Sequence, residues 1–103
     1  MSYTIYQMPL SLWHSRYAWF DKNSEVRRID YCPVYQGDLA EESQQFENNE
    51  EALGYLFEKF NLEHPRDYAS RSMSAGDVIM IGSGDNAKYY LCCSFDWHEL
   101  DNF

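Results

Sequence analysis

Asn48-Asn49-Glu50-Glu51-Ala52-Leu53-Gly54-Tyr55-Leu56-Phe57-Glu58-Lys59-Phe60-Asn61 is the segment with the most complete set of helix signals. Asn48 and Glu51 stand at capping-box spacing, and Glu50 and Glu51 suit the positive end of a helix dipole. Leu53, Leu56, Phe57 and Phe60 follow at i, i+3, i+4 and i+7, which makes one apolar stripe. Lys59 falls in the last turn and Asn61 suits a C-cap. The spacing predicts a helix over Asn49–Phe60, and His64-Pro65 blocks its continuation.

Period-two and continuous apolar patterns surround this helix. Downstream, Asp77–Gly82 carries Val78-Ile79-Met80-Ile81, a run that implies burial on both faces of a sheet. Ser83-Gly84-Asp85-Asn86 reads as a turn, with Ala87–Phe95 as the hairpin partner. On that partner Tyr89, Leu91, Cys93 and Phe95 share one face, and Lys88, Tyr90, Cys92 and Ser94 the other. Trp97, Leu100 and Phe103 are spaced three apart, which suggests a final helical turn folding onto the sheet. Upstream, Tyr3–Met8 is a strand ended by Pro9. Leu10–Phe20 is aromatic, with Leu12, Trp13, Tyr17 and Phe20 suited to one side of a short helix. Arg27–Tyr35 is a second strand in which Pro33 points to an edge position or a break, with Gly37 ending it. Asp38–Asn48 is polar and loop-like. The expectation is a single α+β domain over residues 1–103: a small, mostly antiparallel sheet of three to four strands with one main helix packed on one face.

The totals fit that picture. At 103 residues there is room for one core, and 45% hydrophobic and 17% aromatic content is enough to fill it. Neither a membrane-spanning run nor a signal peptide is read from the sequence, so the expected location is the cytoplasm. Cys32, Cys92 and Cys93 are odd in number and two are adjacent, so reduced thiols are expected. Net charge is −9, from seventeen acids and eight bases. That balance argues against direct nucleic-acid or anionic-membrane binding and favours a protein partner with a basic surface.

Signals for chemistry are sparse. His14, His64 and His98 lie far apart and outside metal-ligand spacings, and Cys92-Cys93 with His98 reads more simply as a buried strand with polarisable side chains. Gly82-Ser83-Gly84-Asp85 opens no helix, so the phosphate-loop context is missing and a hairpin turn remains. No catalytic, cofactor or metal residue is assigned. An alternative is a small enzyme or ligand-binding domain using Arg66, Arg71 and Cys93 or His98. Against it, an Arg fork in this connector is expected to satisfy loop carbonyls and to pair Asp67 or Asp77. A further alternative is a structural or regulatory homodimer joined through an edge strand; monomer and dimer both remain open.

The charge distribution is more informative. Ile29–Glu58 holds Asp30, Asp38, Glu41, Glu42, Glu47, Glu50, Glu51 and Glu58 with no Lys or Arg, and after Lys88 come Asp96, Glu99 and Asp101. One reading is a solvated face that keeps the protein soluble. The other is an acidic patch for a basic partner, with Asp38, Glu41, Glu42, Glu47, Glu50 and Glu51 as its charges and Trp13, Tyr17 and Trp19 as aromatic anchors.

Five stretches in order resemble the YodL-like domain. They are Tyr3–Met8, Tyr31–Leu39, Leu56–Tyr68, Arg71–Ile79 and Tyr89–Trp97, covering nearly the whole chain. The chain departs from that pattern at Leu10–Phe20, at Asp38–Asn48, and at Cys92-Cys93. The resemblance implies residence on phages, plasmids or conjugative elements and carries no established activity or site residues. With the acidic surface it suggests a non-catalytic accessory protein that binds a host nucleic-acid-binding defence complex. By analogy of class with small acidic anti-restriction and anti-CRISPR proteins, it would act as an inhibitor or nucleic-acid mimic.

Overall fold

A computed structural model describes the chain except residues 16–19, 21–23, 43–45, 95 and 102 and the side chains of 14, 15, 41 and 42. Five strands and two helices appear in the order β1 (Ser2–Gln7), α1 (Leu10–Ser15), β2 (Cys32–Asp38), α2 (Asn49–Leu62), β3 (Val78–Ile81), β4 (Lys88–Cys92) and β5 (Trp97–Leu100). The strands form one sheet in the order β2-β1-β3-β4-β5, with every neighbouring pair antiparallel. The fold is therefore α+β, with five strands where three to four were expected.

The pleat sorts the core into two layers. Tyr3, Ile5, Ile79, Ile81 and Tyr90 face α2, which inserts Ala52, Leu53, Leu56 and Phe60. Tyr6, Val78, Leu91 and Cys93 face the other way, where Met8, Phe20 and Tyr31 cover them together with the half-buried Leu12, Trp13, Leu100 and Phe103. Both faces are thus covered, as the run Val78–Ile81 required.

Helix α2 starts where its capping box says. Asn48 is extended and its side chain accepts the Glu51 N–H at 2.9 Å. Such a cap contributes about 1 kcal/mol. Leu53, Leu56 and Phe60 are fully buried, and each contributes about 1.5–3 kcal/mol. Packing holds the helix, and the cap fixes its first residue. The buried stripe is rotated from the expected one: Ala52 is inside, whereas Phe57 is 38% exposed. The helix also runs to Leu62, past Asn61, which donates its amide to the Phe57 carbonyl at 2.8 Å instead of capping the end.

Three other expectations need correction. The tail is strand β5, not a helical turn. A spacing of three on a strand sends Trp97 to the α2 layer and Leu100 to the opposite one, so a helix-like interval here serves two cores. The second strand begins at Cys32, because Arg28–Asp30 forms a 3-10 turn. Gly37 does not end it; the strand continues to Asp38. Pro33 does lie on an edge strand, opposite Tyr6, beside a register shift at Ile5/Tyr6.

Gly37 has a packing reason. It pairs with Tyr3, and a Cβ there would sit 2.5 Å from the buried Tyr3 hydroxyl. Gly54 is the opposite case: it lies on α2 with no atom within 4 Å of a built Cβ. In urea unfolding, Gly37→Ala should therefore lose about 1–3 kcal/mol through overpacking, while Gly54→Ala should gain about 0.5–1 kcal/mol. Equal effects of the two substitutions would contradict this packing.

Candidate partner-binding surface

Register alone brings the separated acidic segments together. Asp38 on β2 pairs with Ser2, the Gly82 N–H donates to the Ser2 carbonyl at 2.8 Å, and Ile81 pairs with Lys88. Tyr89 pairs with Leu100, so Asp101 follows at the same end of the sheet. The turn holding Asp85 closes β3 and β4 there as well. The first turn of α2 is anchored over this end, because the Asn49 side-chain amide donates to the Tyr90 hydroxyl at 2.8 Å. A groove lined by Asn49, Glu50, Leu53, Lys88, Tyr90, Trp97 and Glu99 runs between α2 and β5. A second, lined by Leu39, Phe46, Glu47 and Ala52, runs between α2 and the turn after β2.

Asp38, Glu47, Glu50, Glu51, Asp85, Glu99 and Asp101 thus share one end of the molecule. The backbone at Glu41 and Glu42 belongs to the 3-10 turn that leaves Asp38, and their side chains lie outside the described structure. The Asp38 carboxyl is held below its usual range by the Ala40 N–H and then by the terminal amine of Met1, 3.0 Å away. Besides that amine, Lys88 is the one Lys or Arg among the described residues that borders this end. The others are engaged elsewhere: Arg71 with Asp77, Arg27 with Asp30 at 3.6 Å, Arg28 over the Tyr6 ring at 4.7 Å, and Lys59 over the Tyr55 ring at 6.0 Å. Arg66 is exposed on the connector after α2.

The expected aromatic anchors do not join the acids. Trp13 donates its indole N–H to the Ala75 carbonyl at 3.1 Å and lies against the Arg71 guanidinium, at the other end of β3. Tyr17 and Trp19 fall outside the described residues. The aromatic side chains beside the acids are instead Tyr90 and Trp97, with Phe57 edge-on to Trp97 at 6.3 Å. The period-two order of Trp97 and Glu99 was the sequence signal for this pairing, and the interval of three to Leu100 obscured it.

The opposite end carries a buried polar cluster. Asp77 has no exposed surface. It accepts from Arg71 Nη2 at 3.0 Å, from the Ser74 N–H at 2.9 Å and from the Gln7 amide at 3.0 Å. Ser70 donates to the Gln7 carbonyl oxygen at 2.6 Å, and the Tyr68 hydroxyl donates to the Arg71 carbonyl. Burial pushes the Asp77 carboxyl up, and the Arg71 guanidinium and these N–H donors pull against it. Both carboxylate oxygens accept hydrogen bonds, and Arg71 reaches both, so Arg71 is a framework residue. The alternative set does not converge on one cavity: Cys93 is buried with its thiol toward the Leu91 carbonyl at 3.7 Å, and His98 sits on β5 opposite Leu91. None of Arg66, Arg71, Cys93 and His98 lines the grooves that flank α2. Among the described residues no group of three His, Cys, Asp or Glu side chains gathers to hold a metal. Among the same residues no helix is long and apolar enough to cross a membrane.

A family model, the YodL-like domain, matches residues 2–103. The chain belongs to the YodL-like domain family. Neither a curated protein nor a solved structure gives a match. The segments of this YodL-like domain that resemble the family pattern build its centre: Tyr3–Met8 supplies β1, and Arg71–Ile79 supplies the Asp77 cluster and the start of β3.

Two measurements test the cluster and the thiols of this YodL-like domain. Asp77→Ala leaves Arg71 without its partner and should cost about 3–5 kcal/mol in urea unfolding; a loss below ~1 kcal/mol would show that the pair is dispensable. Burial first, then the Asp77 charge, pushes the Cys92 thiol up to about 12, whereas Cys32 is exposed. Iodoacetamide at mildly alkaline pH should label Cys32 in the native protein and reach Cys92 and Cys93 only after unfolding. Native labelling of Cys92 at the rate of Cys32 would refute that environment.

Proposed function

We propose that this YodL-like domain is a non-catalytic binding module that engages a basic protein partner through its acidic end. The observation that carries the reading is the gathering of Asp38, Glu47, Glu50, Glu51, Glu99 and Asp101 at one end of the sheet with Lys88 as the neighbouring base. Carboxylates held on a rigid frame speed encounter with a positive surface and reject negative ones. Such a surface competes for sites that normally take nucleic acid, whose phosphates carry one charge per ~1.7 Å of duplex axis. On this reading the partner is a nucleic-acid-binding protein of the host, and the domain acts as its inhibitor, an anti-defence role suited to a mobile element. Glu50 and Glu51 also favour the helix dipole, but that local benefit does not extend to Asp38, Glu99 or Asp101.

Affinity capture from a bacterial lysate, with the wild type beside Glu47→Lys/Glu50→Lys/Glu51→Lys, tests the reading. A partner should be held at low salt, released as salt rises, and weakened at least about tenfold by the charge reversal. Recovery of no protein at either salt, or of a partner indifferent to the reversal, would remove the proposal.

A further inference from the structure

The two edges of the sheet are not alike. β2 carries Pro33, which has no N–H, and a register shift beside it, both devices that blunt an edge. β5 has neither. The Cys93 N–H donates to the Asp96 carbonyl at 2.8 Å. In an antiparallel ladder hydrogen-bonded and non-bonded pairs alternate, so Leu91↔His98 and Tyr89↔Leu100 are the bonded pairs that follow. His98 and Leu100 therefore turn their backbone groups toward β4. Trp97 and Glu99 turn their N–H and C=O outward, where among the described residues no strand pairs with them.

The side chains of the same two residues face α2, beside the groove. Trp97 is half-buried against the α2 layer, and Leu53 and Tyr90 line the groove with it. Phe57, exposed at the margin, meets the Trp97 ring. Glu50, Glu99 and Lys88 line the same groove. An open strand edge, an adjoining groove with the half-buried Trp97 at its side and two carboxylates at the groove, Glu50 and Glu99, are the three parts this strand addition uses.

We propose that β5 takes an extended, basic segment of a partner protein as a sixth strand. Main-chain bonds to Trp97 and Glu99 hold the segment. An apolar side chain of the segment packs on Trp97, and a Lys or Arg meets Glu50 or Glu99. A second copy of this chain fits the edge less well, because β5 itself carries no Lys or Arg to meet Glu50 or Glu99. The inference rests on the acidic-end reading and narrows it to one docking mode.

The test uses the full chain, isotope-labelled for amide spectra, and three peptides at low salt: acetyl-Lys-Val-Lys-Val-Lys-Val amide, the same peptide N-methylated at every residue, and a lysine hexamer. Expected is slowed hydrogen exchange at the Trp97 and Glu99 amides with the first peptide, and binding at least about tenfold weaker after methylation. Glu99→Pro, whose lost N–H points outward and serves no internal bond, should weaken the first peptide by about tenfold, against about threefold or less for Glu99→Gln. The amide spectrum of Glu99→Pro reports whether its fold is kept, and the methylated peptide tests the wild type independently of that variant. Equal binding of methylated and unmethylated peptides, with shifts centred on Asp38 and Glu47–Glu51, would overturn strand addition and leave the acidic-end reading standing. No binding by any of the three peptides would overturn both. Concentration-dependent protection of Trp97 and Glu99 without peptide would assign the edge to a second copy and overturn the proposal.

Discussion

The structure depends on β1 having a neighbour on each side and a core on each face. Tyr3 pairs with Gly37 on one side and Ile81 on the other, and every residue from Tyr3 to Met8 is buried. A strand in that position has no water to satisfy its backbone, so both ladders must form together. That requirement joins β2, which follows a long excursion, to β3, which lies beyond α2. It also explains the buried polar residue that β1 carries at its end. Gln7 is 2% exposed and is satisfied by Ser70, the Arg71 carbonyl and Asp77, so the connector before β3 closes the polar end of the central strand.

Charge is then partitioned by the same sheet. One carboxylate, Asp77, is taken out of water and matched by a guanidinium and N–H donors. The rest of those discussed stay in solvent, and strand register gathers many of them at the far end. Their mutual repulsion works against compactness, and the positive end of the α2 dipole eases it at Glu50 and Glu51. The balance holds because the apolar layers supply far more stabilisation than a set of solvated charges removes.

Much of this was legible in the residues, and the failures have physical causes. The capping box and apolar stripe located α2 because local signals agree there. Phe57 fitted the stripe but lies at its margin, since the helix rolls toward Ala52 and Trp97 takes the space beside it. β5 was misread because four residues with a three-residue apolar interval match a helical turn as well as a strand that feeds two cores. The base-free run Ile29–Glu58 was plain, but only register could add Glu99 and Asp101 to it. The expectation that Arg71 pairs Asp67 or Asp77 agrees with the Asp77 pair; the zero exposure of that carboxylate was invisible, because burial of a lone acid is set by what folds over it. Trp13 looked like a free anchor for the equivalent reason: its partners, Ala75 and Arg71, are some sixty residues away.

The proline and the register shift on β2 bear on how this chain behaves when crowded. A sheet can extend without limit only if it offers two receptive margins, one to receive and one to be received. Here one margin is spoiled, so association through strands ends after a single addition. The chain is built to accept one added strand and not to grow into filaments.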